Sequence, residues 1–337
     1  MTTYGVKALR QIQMSRETAI GTPSTDYTVW RGTGTLTDQR VVNQPEEDVG
    51  ILPGTDRQYV PQKMGELGAE GEATFEQIGH AFDAGLYEAT PAADGGGSGY
   101  VRTWTFPIAS SDVKSSSDLQ TYAFKGGDNA AVEYMKGSFV NQLSLSGSIG
   151  GAVMNSITWQ GREVASDTDG YATATLPVVE EILHTKAKMY IDAVGGTIGT
   201  TQITGIVGDV TIDITTGWQA LFTADGTLEY SDLKQVKPEI TMQVTFEHAG
   251  AAITEKAAWR AGTSRLIRIQ WEGSALGTGA TYDYKTLRID MAGKWENFDA
   301  LGDRDGDDIV TGTFKANYNA TAAKFFEAVL VNEVAAL

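Results

Sequence analysis

Alternating aspartates are the first residues of this chain that could hold an ion. The stretch GDRDGDD at Gly302–Asp308 sets Asp303, Asp305 and Asp307 two positions apart, as a calcium loop does. Such a loop also needs glycine at its sixth position and a bidentate carboxylate at its twelfth. Here those positions hold Asp308 and Phe314, so the stretch reads as a solvated or inter-subunit acidic loop. His80, His184 and His248 lie far apart, without zinc spacing. Cysteine is absent, which removes thiolate ligands, thiol nucleophiles and disulfides together. Neither a Gly-x-Ser-x-Gly elbow nor a Gly-Lys-Ser phosphate loop occurs. Glu46-Glu47 and Glu180-Glu181 are adjacent carboxylates, a spacing from which no glycosidase pair can be read. Trp104, Trp159, Trp218, Trp271 and Trp295 could line a sugar site, but tryptophans at strand positions more often build core. No catalytic signature, metal site or cofactor follows, and we expect no enzyme.

The elements that must position these residues are strands. EITMQVTFE alternates Ile240, Met242, Val244 and Phe246 with Thr241, Gln243, Thr245 and Glu247. DVTIDI, KAKMYIDAV, LIRIQW and TLRIDM do the same in the second half, and TWTFPI more weakly in the first. One-sided alternation implies antiparallel sheet with one packed face and one wet face. Helix is scarce. Gly71–Leu86 carries a stripe of Phe75, Ile78, Phe82 and Leu86, with Thr74 and Gln77 spaced as a capping box. Ala249–Gly262 is the second candidate, with Gly262 at its C-cap. DGGGSG at Asp94–Gly99 reads as a flexible loop tip, and Ala109–Asp118 as an exposed polar loop.

At 337 residues the chain is long enough for two cores. Formal net charge is −17, which argues against gripping nucleic acid, since phosphate binding needs clustered Lys and Arg. No signal peptide and no run of 18 apolar residues is seen, so neither export nor a membrane-spanning helix is expected.

The chain also resembles itself. GEATFEQIGHAFDAGL and MQVTFEHAGAAITEKAAWRAG share Thr-Phe-Glu and a following aromatic-x-Ala-Gly. TAIGTP matches GTIGTT, GTLTDQ matches GDVTID, Tyr59 matches Tyr230, LQTYAF matches YKTLRI, and Glu163-Val164 matches Glu333-Val334, all in the same order. We therefore expect a duplicated module: copy one over residues 1–164, a linker over 165–185 and copy two over 186–337. Closing such β modules into a ring would remove their unpaired edges, and three doubled chains would give pseudo-sixfold symmetry.

SRETAIGTP, VWRGTGTLTDQRVV, PEEDVGILPGTDRQY and GEATFEQIGHAFDAGL together resemble the major tail (tail tube) proteins of long, non-contractile tailed bacteriophages. The resemblance implies a mainly β chain of two tandem similar modules. Each would be two packed antiparallel sheets with one flanking helix, a tail-tube-like β-barrel or sandwich. It further implies self-assembly into trimeric rings, stacked into a tube through which DNA is ejected. The protein would be made in the bacterial host cytoplasm and end in the virion tail. Implied partners are other copies of the chain, a tape-measure protein, a tail terminator and tail-tip proteins, with DNA passing unbound and no membrane contact. The family's long loop would fall at Val42–Gln62, carrying Pro45, Glu46, Glu47, Asp48, Asp56 and Arg57, with a counterpart at Thr216–Gln235. Together with Asp303, Asp305 and Asp307 these are the expected inter-subunit or inter-ring residues. If each module lends about four strands, six modules make a wall of about 24, roughly 40–50 Å across at the backbone. An acidic lumen would then repel DNA and let it slide. Two other readings stay open: a glycan-binding or glycan-cleaving β-sandwich, and a head-to-tail joining or decoration protein.

Overall fold

The computed structural model describes residues 4–54 and 56–337. In chain order the first half contributes β1 (Gln11–Ala19), β2 (Thr33–Asp38), β3 (Val41–Asn43), β4 (Tyr59–Gln62), β5 (Gly65–Glu72), α1 (Ile78–Gly85), β6 (Tyr100–Thr105), β7 (Tyr122–Gly127), β8 (Val132–Gly147), β9 (Met154–Gly161) and β10 (Val164–Asp167). The second half contributes β11 (Ala187–Ala193), β12 (Val207–Thr215), β13 (Trp218–Leu221), β14 (Asp232–Gln235), β15 (Glu239–Glu247), α2 (Gly250–Arg260), β16 (Arg265–Ala275), β17 (Tyr284–Phe298), β18 (Gly302–Arg304), β19 (Asp307–Ala316) and β20 (Phe326–Asn332). Shorter strands of two or three residues complete the list. The fold is mainly β, as expected.

Two long strands organise it. The first part of β8 pairs with β7 and β10, and β7 pairs with β1, forming an outer sheet. Past Gly137, which has φ 65 and sits at a register shift, β8 turns into a second sheet and pairs with β9. A bulge with glycine in the left-handed region adds the local twist such a crossing needs. β17 repeats the manoeuvre, its first part between β16 and β20 and its last part against β19. The pairing order β1–β7–β8–β9–β5–β2 of the first half recurs as β11–β16–β17–β19–β15–β12 in the second.

The sheets pack through the apolar side of the alternation. Ile240, Met242, Val244 and Phe246 are all buried, while Gln243 and its alternating neighbours face solvent. Trp159 of β9 meets Tyr122 and Phe124 of β7 edge-on, at ring-centroid distances of 5.5 and 4.9 Å. All five tryptophans named above are core residues, so none offers a platform to a sugar.

Several local expectations need correction. The first helix starts at Ile78, not near Gly71, because Ala73 donates to the Val153 carbonyl and Thr74 bridges Glu181, holding the backbone extended. Half of the capping box forms: the Gln77 amide donates to Thr74 Oγ1 at 3.3 Å, but the Gln77 side chain donates to the Val29 carbonyl instead. DGGGSG is not a free tip. Asp94 is buried and accepts from the Thr281 and Tyr282 amides, tying the loop to the second half. The adjoining strand β6 pairs with β20, so a first-half strand completes a second-half sheet.

The string matches are mostly out of register with the pairing. Thr74-Phe75-Glu76 lies in a turn, whereas Thr245-Phe246-Glu247 ends a strand. LQTYAF leads into β7, whose pairing counterpart is β16, while YKTLRI opens β17. TAIGTP and GTIGTT do coincide. Each turns after the first strand of its half, with Gly21 at φ 82 and Gly199 at φ 87 held by Glu17 and Asp192.

Candidate assembly surfaces

Strand pairing joins the two halves. β8 pairs with β12 from Gln142↔Thr215 to Gly147↔Val210. Because β8 is also bonded to β9, and β12 to β15, the strands β2–β5–β9–β8–β12–β15–β19–β17 run as one uninterrupted sheet, half of it from each half-chain.

Two more contacts close this internal seam. The β13–β14 hairpin folds back over the first half, where Trp218, Tyr230 and Leu233 pack with Leu119 and Phe139. Trp218 Nε1 donates to the Leu86 carbonyl at 3.4 Å, Thr216 Oγ1 to the Val140 carbonyl at 2.8 Å, and the Tyr230 hydroxyl to the Gly137 carbonyl. Gly137 in turn donates its amide to Glu17 Oε1, so the sheet-crossing bulge is held from both halves. The other contact is α1, buried along its whole length. A Cβ on Gly79 would stand 3.0 Å from Leu330 Cδ2, and one on Gly85 3.0 Å from Thr216 Cγ2, both second-half atoms.

That burial perturbs two titratable groups on α1. Desolvation pushes His80 down to about 3, so it is a neutral imidazole sharing a hydrogen bond of 2.9 Å with the Tyr122 hydroxyl. Desolvation pushes Asp83 up to about 6, although it accepts from the Ala89 amide and Trp104 Nε1.

At its two ends the eight-stranded sheet is open. Among the described residues the outer edge of β2 pairs with no strand, and neither does the outer edge of the last part of β17, whose other edge is bonded to β19. α2 buries only Ala252, Glu255 and Ala258, leaving Ile253 53% exposed. The β3–β4 hairpin, the first-half counterpart of β13–β14, carries exposed Val41, Val42, Val49, Ile51, Leu52 and Tyr59. Residues at the closed seam are buried; their counterparts at the open edges are not.

The face of this sheet turned away from the core is polar. It presents Glu66, Glu70, Glu72, Asp209, Asp213, Glu239 and Glu247 among threonines and serines, against Lys294 and Lys315. Neighbouring rows fall on one face: Glu70 pairs with Ser156, Ser156 with Ser144, Ser144 with Asp213, and Asp213 with Thr241.

The residues singled out from sequence fall in two places. Pro45, Glu46, Glu47, Asp48, Asp56 and Arg57 all lie in the long loop between β3 and β4, where Glu47 pairs with Arg57 and the rest face solvent or are half-buried. Asp303, Asp305 and Asp307 lie on the β18–β19 hairpin. Its turn is Asp305-Gly306, at φ 56 and 92, the two-residue geometry that Asp-Gly favours in hairpins. Among the described residues no group of three or more His, Cys, Asp or Glu could hold a metal ion. This loop does have a first-half counterpart. The bulges opposite Trp159 and Phe314 place Val140 with Trp295, and the same step places Ser148–Val153 with Asp303–Asp308, without insertion. The tips differ in charge, not length. Sequence reasoning missed the seam strands, because alternation says which face is buried but not which strand lies alongside.

Among the described residues no helix is long and apolar enough to cross a membrane. A comparison with family models matches residues 7–322 to the family described as phage tail tube protein. No curated protein matches the chain.

Proposed function

The chain belongs to the phage tail tube protein family, and is thus a structural component of the virion tail; from that premise we propose that three copies close into a ring and that rings stack into the tube that conducts the genome. One observation carries the ring: an eight-stranded sheet, seamed within the chain by β8 against β12, that ends in two open and different edges. An edge β17 meeting an edge β2 of another copy is a heterologous contact, which makes a ring when the rotation between copies closes. Three chains supply 24 strands, enough for a bore of roughly 30–40 Å once side chains take their share. The two halves act as copies of one module, each lending one sector to the wall.

The polar face then lines the bore. Its carboxylates and hydroxyls cannot displace the counterions condensed on the DNA phosphates, so a duplex passes without being held. A family of structural subunits implies no reaction, and the buried tryptophans remove the main support for a glycan site. The tape-measure, terminator and tail-tip proteins complete the set of partners that the family resemblance suggests.

Electron microscopy of the purified protein tests this. Rings of three chains with pseudo-sixfold outline, or tubes of stacked rings, are expected. Compact monomers at every concentration would overturn the reading, and isolated rings that never stack would favour a joining or decoration role.

A further inference from the structure

We propose that the seam between chains copies the register of the seam within the chain, with Asp299 of one copy opposite Thr37 of the next, and that Asp299–Leu301 becomes strand only when that neighbour docks. The inference rests on the ring reading above and adds its residues and a folding step.

The register follows from equivalent positions. Val140 matches Trp295 at the bulges, and the same step carries Ser144 to Asp299 and Gly147 to Gly302. On the other side Leu36 matches Ile212, because each faces the residue (Leu67, Met242) that in turn faces Trp159 or Phe314. Ser144 pairs with Asp213 in the internal seam, so Asp299 should pair with Thr37. Trp218, buried in that seam, maps by the same step onto half-exposed Val42, which would face the neighbour's second half.

The folding step follows from a difference between the two strands. β8, paired on both sides, stays in strand to Gly147. β17, whose last part is paired on one side only, ends at Phe298, and Asp299–Leu301 is exposed and outside any strand. It is nonetheless close to strand: the Asp299 amide still donates to the Thr311 carbonyl at 2.9 Å. An edge of β2 would supply the missing ladder partners.

The cysteine-free chain makes the test clean. Thr37→Cys with Asp299→Cys, oxidised after assembly, should give covalent dimers and trimers on denaturing gels. Thr37→Cys with Leu301→Cys should give about 10-fold less, since a two-residue slip leaves the pair beyond disulfide reach. Ser144→Cys with Asp213→Cys, within one chain, should close as a monomer and shows that such pairs oxidise. Hydrogen exchange should show Ala300 and Leu301 gaining protection on assembly. Rings whose shifted pair crosslinks best would overturn the register and leave the ring standing. Unchanged exchange in assembled rings would overturn the folding step. No rings and no intermolecular crosslink, with the internal pair closing, would remove both the register and the ring.

Discussion

α1 and α2 occupy the same position in two halves with one pairing order, yet they live in different surroundings. α1 is buried on every side, between its own sheets and the second half. α2 covers its own half with one face and leaves the other to solvent. The same contrast separates Trp218 from Val42, and the end of β8 from the end of β17. In each pair the first-named element lies at the seam already closed and the second lies where the chain stops being its own neighbour. Identical topology therefore does not give identical burial. What decides it is whether the next sector belongs to the same polypeptide.

The sharpest way to break this comparison is at the hairpins. Trp218→Ala empties a fully buried site and should cost about 3–5 kcal/mol, read as a lower urea midpoint of the unassembled protein. Val42→Ala, at the matching position, should change that midpoint by less than about 0.5 kcal/mol while reducing ring yield. Equal losses from the two variants would mean that the open hairpin is already packed and the comparison is false.

Next come the two titratable groups that burial at the closed seam perturbs. His80 is held near 3 in the fold against about 6.5 unfolded, so the unfolded chain takes up the proton first and stability falls as pH drops below about 6.5. Asp83 is held near 6 against about 3.9, so here the folded chain takes up the proton first and stability rises as pH falls from about 6 to 4. The slopes oppose each other between those values. Asp83→Asn keeps acceptors for Trp104 and Ala89 and should leave the His80 slope bare, losing about 2 kcal/mol between pH 7 and 5. His80→Gln should leave the opposite slope. Parallel pH profiles for both variants would show that α1 is more hydrated than its packing implies.

How much of this was legible beforehand differs by level. Ile240, Met242, Val244 and Phe246 announced their buried face because alternation is a local property of the backbone. One pairing order runs through both halves, yet the Thr-Phe-Glu strings that suggested a doubled module occupy a turn in one half and a strand in the other. Similar folds tolerate such slippage because pairing depends on face and edge, not on the identity of three residues. Neither the β8–β12 seam nor the reach of β6 into the second half could be read, since lateral neighbours of a strand leave no periodic trace. Pro45, Glu46, Glu47, Asp48, Asp56 and Arg57 lie on one long connection, while the acidic tip and Ser148–Val153 match in length but not in residue type, so their equivalence shows only in the strand pairing.

The long loop itself offers the next test. Deleting Gln44–Arg57 removes no buried residue among those described and should move the urea midpoint by less than about 1 kcal/mol, yet tube growth should stop. Normal tubes from the deleted chain would detach this loop from assembly and leave the strand edges to do it alone.

The smallest effect belongs to the two hairpin tips, equal in length and opposite in character. Asp303, Asp305 and Asp307 stand where the first half has Ser148, Gly150 and Ala152. Replacing all three with Asn keeps the turn, since Asn tolerates the left-handed conformation that Asp305 adopts. The tip buries none of these side chains, so stability should change by less than about 0.5 kcal/mol. Calcium should not alter the melting temperature of either protein, because the aspartates are spread along a hairpin and do not converge. The informative readout is salt. If the acidic tips face like charge across an assembly contact, wild-type tubes should form more readily at higher ionic strength, and the triple variant should lose that dependence. A dependence that survives the substitution would place the repulsion elsewhere, on the carboxylates of the polar sheet face, and would make the tips as interchangeable in charge as they are in length.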